Sequence, residues 1–188
     1  MNDEVREQLR SIAVHESGHA VTAMALRLPV VSIRMSITFG AVRGETAVRF
    51  LPFTKRSHTT AVFLAGVWAV NMFTHIQLCV SAPDVVSRPP RTPTERRESR
   101  AVQRYRFDQT AAQTGADLDG DLGVIRSILH NCKHPNRIFD RGETIARTCL
   151  NTNERPLRAI AQQLLWDGHV SGGTLGRLAR DVKLYESM

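Results

Sequence analysis

Apolar residues recur at helical spacing from about Asp3 to Leu28, through Val5, Leu9, Ile12, Ala13, Ala20, Ala23 and Met24. Asn2 or Asp3 can cap this first helix, and Pro29 ends it. The period then changes. Val31, Ile33, Met35, Ile37 and Phe39 alternate with polar residues, and after Gly40 the residues Val42, Gly44, Thr46, Val48 and Phe50 alternate again. Two half-buried strands forming a hairpin are expected, closed by Pro52. An apolar helix is expected over about 58–79, with Gly66 allowing a neighbour to come close. Further helical patterns run over about 121–131, 140–149, 156–166 and 173–184. The sum is an α+β fold, mainly helical, with a small antiparallel β-hairpin or sheet after the first helix.

The 188 residues, 42% hydrophobic and 23% charged, fit a single globular domain over 1–188. One segment departs from that picture. Over 82–110 the chain is rich in proline and arginine: between 88 and 106, Arg88, Arg91, Arg96, Arg97, Arg100, Arg104 and Arg106 face only Glu95 and Glu98. Such a stretch cannot bury enough apolar surface to offset its ordering entropy, and it reads as a flexible insert. The stretch between Arg88 and Arg106 carries +5 of the net charge of +7. Apart from Tyr105 and Phe107 it lacks aromatics to stack on bases, so nucleic-acid binding is not the expected role. No apolar run reaches the ~18–20 residues of a membrane-spanning helix. The opening MNDEVREQLR is acidic and polar, unlike a signal peptide, so a cytoplasmic protein is expected. Cys79, Cys132 and Cys149 are too few and too scattered for a disulfide framework.

The chemistry lies within the first helix, in His15-Glu16-Ser17-Gly18-His19, an H-E-x-x-H motif. Residues four apart stand one turn apart on one helix face, so two imidazoles can converge on one metal ion. The glutamate beside the first histidine is then aimed at water on that metal, which it can deprotonate. Gly18 costs roughly 1 kcal/mol relative to Ala inside a helix, which implies a closely packed neighbour. A solvent-facing His/Glu helix is the competing reading, and the apolar flanks argue against it. His130 and His134 share the same spacing around Cys132, but Lys133 and Pro135 suggest an exposed helix end. His58, His75 and His169 stand alone. Trp68 and Trp166 read as core anchors.

The run Ile12-Ala13-Val14-His15-Glu16-Ser17-Gly18-His19-Ala20-Val21 resembles the zinc helix of FtsH-type peptidase domains, usually HEAGHA followed by apolar residues. The strand pair with Gly40 and Gly44, ending in Phe50-Leu51-Pro52, is similar to that family's hairpin. Phe63-Leu64-Ala65-Gly66 resembles its leucine-leucine-glycine-glycine helix. Thr114-Gly115-Ala116 with Asp121-Leu122 resembles its threonine-glycine-alanine segment before an aspartate-leucine helix start, and Ala159-Ile160-Ala161 through Leu164-Leu165 its C-terminal helix.

The resemblance implies a zinc metallopeptidase with Zn2+ held by His15, His19 and a distant aspartate, and with Glu16 as general base. Asp121 is the favoured third ligand because Leu122 and the apolar helical pattern follow it; Asp117 and Asp119 are the alternatives. Asp117, Asp119 and Asp121 also faintly resemble a calcium loop, without the glycine and distal glutamate of an EF-hand. Departures from the family are the apolar Val67-Trp68-Ala69-Val70-Asn71, the arginine-rich insert and the absence of any G-x-x-x-x-G-K-[ST] phosphate loop. ATP-independent cleavage of a polypeptide or peptide substrate is therefore expected, with no ATP and no membrane span. The competing functions are an inactive, metal-stabilised interaction module and a nucleic-acid-associated regulator using the arginine-rich insert.

Overall fold

A computed structural model describes residues 3–38, 41–73, 118–130 and 132–186. The 82–110 insert, Gly40, His75, Cys79, the segment Thr114-Gly115-Ala116 and Asp117 lie outside the described residues. The fold is mainly helical with a small antiparallel sheet. In chain order the elements are α1 (Asp3–Ala25), β1 (Val30–Thr38), β2 (Ala41–Val48), α2 (Arg56–Phe73), α3 (Leu118–His130), α4 (Pro135–Thr152), α5 (Glu154–Asp167), β3 (His169–Ser171) and α6 (Gly172–Leu178).

Helix α1 is the axis of the core. From Leu9 to Ala25 nearly every residue is buried, His15, Glu16 and His19 included. A helix buried on all sides needs cover from several directions, and α2, α5, β1 and β2 all pack on it. Its sequence fits this: small residues (Ala13, Ser17, Gly18, Ala20) occur between the large ones, so neighbours approach closely. A Cβ on Gly18 would come within 2.6 Å of the Ala65 carbonyl oxygen and the Ala69 Cβ, so α1 and α2 touch backbone to backbone there. Asp3 and Glu4 sit in the first turn, where the helix dipole favours negative charge.

At its other end α1 closes in a Schellman motif. Arg27 adopts the left-handed conformation (φ 60°), while Arg27 N–H donates to the Met24 carbonyl and Leu28 N–H to the Ala23 carbonyl. Leu28 then packs against Ala23 and Val62, and Pro29 leads into the sheet.

The sheet has strand order β2-β1-β3, all antiparallel. The register pairs Ile33 with Thr46, Met35 with Gly44 and Ile37 with Val42. Ile33 and Met35 are fully buried, as the alternation requires. Val31 is not. A register shift between Val30 and Ser32 breaks the alternation there, and Val31 faces solvent instead of the core. The third strand, β3, pairs its three residues with Ser32, Ile33 and Arg34. It follows directly on α5, which ends at Gly168 in the left-handed conformation.

One of the two tryptophans differs from expectation. Trp166 is 51% exposed, because it falls on the outer face of α5 while Leu157, Ile160, Ala161, Leu164 and Leu165 fill the inner one. Trp68 is half-buried under the Arg147 guanidinium, 3.7 Å from the ring centroid. Cys132 and Cys149 are free thiols. No helix of the described residues is long and apolar enough to cross a membrane.

Candidate metal centre

Two helices bring the candidate metal-ligating side chains together. Helix α1 supplies His15 and His19, one turn apart on one face. Helix α3 supplies Asp121, the fourth residue of its described range. The described helix runs from Leu118, three residues before the start expected from the apolar pattern, so Asp121 projects from a regular helix. Asp119 lies in the same turn, and its side chain is outside the described set.

The donor atoms nearly form an equilateral triangle. His15 Nε2 and His19 Nε2 lie 2.9 Å apart, and each is 3.0 Å from Asp121 Oδ2. Ligands around a tetrahedral zinc at about 2.0–2.1 Å stand roughly 3.3–3.4 Å apart, so the trio needs only a few tenths of an ångström of adjustment to grip an ion. These three side chains could hold a metal ion, and they are the one such group among the described residues. Two imidazoles with one carboxylate suit zinc or a neighbouring transition metal and not calcium, which takes oxygen ligands.

Hydrogen bonding prepares one histidine for that role. A carbonyl can only accept, so the 2.6 Å contact between His19 Nδ1 and the Val62 carbonyl places the proton on Nδ1. The neutral ring then presents a bare Nε2 lone pair toward His15 and Asp121, the form in which an imidazole binds a metal. His15 Nδ1 is buried with no hydrogen-bond partner among the described residues.

The electrostatics agree. Burial alone would disfavour the ionised form of Asp121, but His19 and His15 outweigh it and hold the carboxyl well below the usual carboxylate range. Burial likewise works against a charged His19, yet Asp121 and Glu16 overcome it and push that imidazole up to about 9.

Glu16 is buried beside this trio. Burial raises its pKa above the ordinary carboxylate value, with His19, His15 and a hydrogen bond from Thr46 working against the rise. Thr46 Oγ1 lies 2.6 Å from Glu16 Oε2. Two glycines make room for these groups. A Cβ on Gly66 of α2 would stand 2.6 Å from both Nε2 atoms, and one on Gly44 of β2 would collide with the Glu16 carboxyl. Phe63 turns its edge toward His19, with centroids 6.5 Å apart, and stacks on Phe50. Together they form an apolar wall at one side of the site.

His15, His19 and Asp121 thus meet as the sequence suggested, with Glu16 next to them. His130, His134 and Cys132 do not form a comparable group. Thr46, Gly44 and the Val62 carbonyl were not anticipated as parts of the site. The signal for the first two was present: strand alternation puts residues 42, 44 and 46 on the face that meets α1. No protein-family model matches the chain, and no curated protein matches it.

Proposed function

We propose that the protein is a zinc-dependent metallopeptidase of the FtsH type, with His15, His19 and Asp121 as ligands and Glu16 as general base. The observation that carries this reading is the meeting of His15 Nε2, His19 Nε2 and Asp121 Oδ2 within 3.0 Å of one another, with the Glu16 carboxyl beside them. The chemistry such an ion supplies when bound is acidification of water toward a pKa of about 7 and polarisation of a carbonyl. Glu16 takes the proton released as water adds to the peptide carbon, and returns it to the departing amine nitrogen. Its buried position suits both duties, since a carboxyl with a raised pKa accepts a proton more readily near neutrality. Among the described residues, strand β2 forms one edge of the sheet and passes directly over Glu16. An extended peptide laid along that edge as an added strand would bring its carbonyls toward the base.

A second reading rests on how closed the site is. The side chains of His15 and Asp121 are only 1% and 16% exposed, as suits a metal that holds structure together in a non-catalytic interaction module. One experiment separates the two: metal analysis of the purified protein, with casein and peptide-panel cleavage by the wild type and Glu16→Gln. The peptidase reading expects bound zinc in both proteins and cleavage in the wild type alone. Zinc with no hydrolysis of any peptide would favour the structural module, and an absence of zinc would remove both.

A further inference from the structure

We propose that Thr46 is a positioning residue: its hydroxyl, with the gap left by Gly44, fixes the Glu16 carboxylate beside the His15–His19–Asp121 trio. The importance of that fixing for catalysis rests on the peptidase reading; the fixing itself does not.

A glutamate has three side-chain torsions, and immobilising it gives up rotamer freedom. Something must hold a base that works at one spot. Thr46 Oγ1 stands 2.6 Å from Glu16 Oε2 and 3.0 Å from the backbone carbonyl oxygen of the same glutamate. The hydroxyl therefore reaches both the head and the root of one glutamate and ties its carboxyl to β2. Gly44 shapes the other side of the cradle. The place its Cβ would take is filled by the glutamate, whose Cδ lies 2.6 Å from it.

Residues 44 and 46 share one strand face by the period of two, so the two contacts come from one rigid piece of backbone. That backbone is anchored in turn: Gly44 pairs with Met35 and Thr46 with Ile33, both fully buried in the core. Thr46 makes no contact with His15, His19 or Asp121 among the hydrogen bonds of the site, so its effect on metal binding and on Glu16 can be separated.

The test compares Thr46→Val, which keeps shape and removes the donor, with Thr46→Ser, which keeps the donor. Glu16 is followed by carbon NMR of its carboxyl, assigned through Glu16→Gln, in zinc-titrated and zinc-free protein. Zinc affinity and peptide cleavage are measured on the same samples. In Thr46→Val the Glu16 resonance is expected to broaden or split, zinc affinity to change less than about threefold, and kcat to fall about 10- to 100-fold at constant KM. Thr46→Ser restores all three. Should Thr46→Val fail to fold, Gly44→Ala, which evicts the carboxyl and keeps the hydroxyl, is expected to disturb the same resonance. If the wild type binds zinc and cleaves nothing, the peptidase reading fails while the NMR comparison still decides the role of Thr46. A single sharp, unshifted Glu16 resonance in the folded Thr46→Val or Gly44→Ala protein overturns the proposal.

Discussion

The chain contains two histidine pairs with the same spacing, and they have opposite fates. His15 and His19 lie in mid-helix, buried, with Nε2 atoms 2.9 Å apart and Asp121 against both. His130 and His134 are exposed; the first ends α3 and the second precedes α4, at φ −133° and ψ 70°. Spacing of four brings two side chains together only when one helix runs through both. At the second pair Pro135 starts a new helix and the geometry is lost. Charge separates the two regions as well. The buried pair faces a carboxylate, whereas the cysteine between the exposed pair accepts a hydrogen bond from Arg56 at 2.9 Å. A cation finds an attractive field at one and a repulsive neighbour at the other. A motif is thus a statement about helix continuity and local charge before it is one about chemistry.

Substitution at each pair breaks the comparison most sharply. His19→Ala is expected to weaken zinc binding by more than about 100-fold, beyond the usual loss for an outer-shell partner, and to abolish any hydrolysis. His134→Ala should leave zinc stoichiometry and affinity unchanged. Competition titration with a chelating dye measures both; equal losses would erase the distinction.

Next in size is Gly66→Ala. Its methyl group would press on both Nε2 atoms, so zinc affinity should fall roughly 10- to 100-fold while overpacking costs about 1–3 kcal/mol in thermal unfolding. Gly173→Ala, where a Cβ meets nothing within 4 Å, serves as the neutral reference.

The pH dependence sharpens the same contrast. His19 is held up to about 9 in the metal-free protein, so a proton must leave before an ion can bind. Zinc affinity should therefore rise about tenfold per pH unit between roughly 6.5 and 9. Its proton also stabilises the metal-free fold fully below about 6.5, and that contribution is lost as pH rises through 9. The raised value depends chiefly on Asp121, so Asp121→Asn should move the upper end of the affinity rise toward the ordinary imidazole range. Calorimetric titration across pH 6–9 reads this out.

The smallest effect is expected at the end of α1. Arg27 holds a left-handed conformation that disfavours any residue with a Cβ. Arg27→Gly should raise stability by up to about 1 kcal/mol in denaturant unfolding, with zinc affinity untouched.

Much of this arrangement was legible in the residues. The period change from 3.6 to 2 at Pro29 marks the end of α1 and the start of the hairpin, and the alternation gives the correct face for Ile33, Met35, Val42 and Gly44. Gly18 and Gly66 announced close neighbours, although only the fold shows that Gly66 faces the imidazoles. Other features had no sequence signal strong enough to read. Three residues are too short a run to show a period, so β3 was invisible. The register shift that exposes Val31 depends on how β1 meets β2, which no local pattern encodes. Among Asp117, Asp119 and Asp121, all at alternate positions, the apolar pattern from Leu122 onward favours Asp121 but leaves the others open; the contact of Asp121 with both imidazoles comes from the fold. Trp166 shows the limit of size as a guide, since it follows Leu165 onto the solvent side of its helix.

The central claim is that an ion is held by two imidazoles and a carboxylate. X-ray absorption at the zinc edge of the purified, zinc-loaded protein addresses it directly. The account predicts nitrogen and oxygen scatterers at about 2.0–2.2 Å, including two histidine rings, and no sulfur shell. A sulfur scatterer near 2.3 Å, which only a cysteine could provide, or no stoichiometric zinc at all, would contradict it.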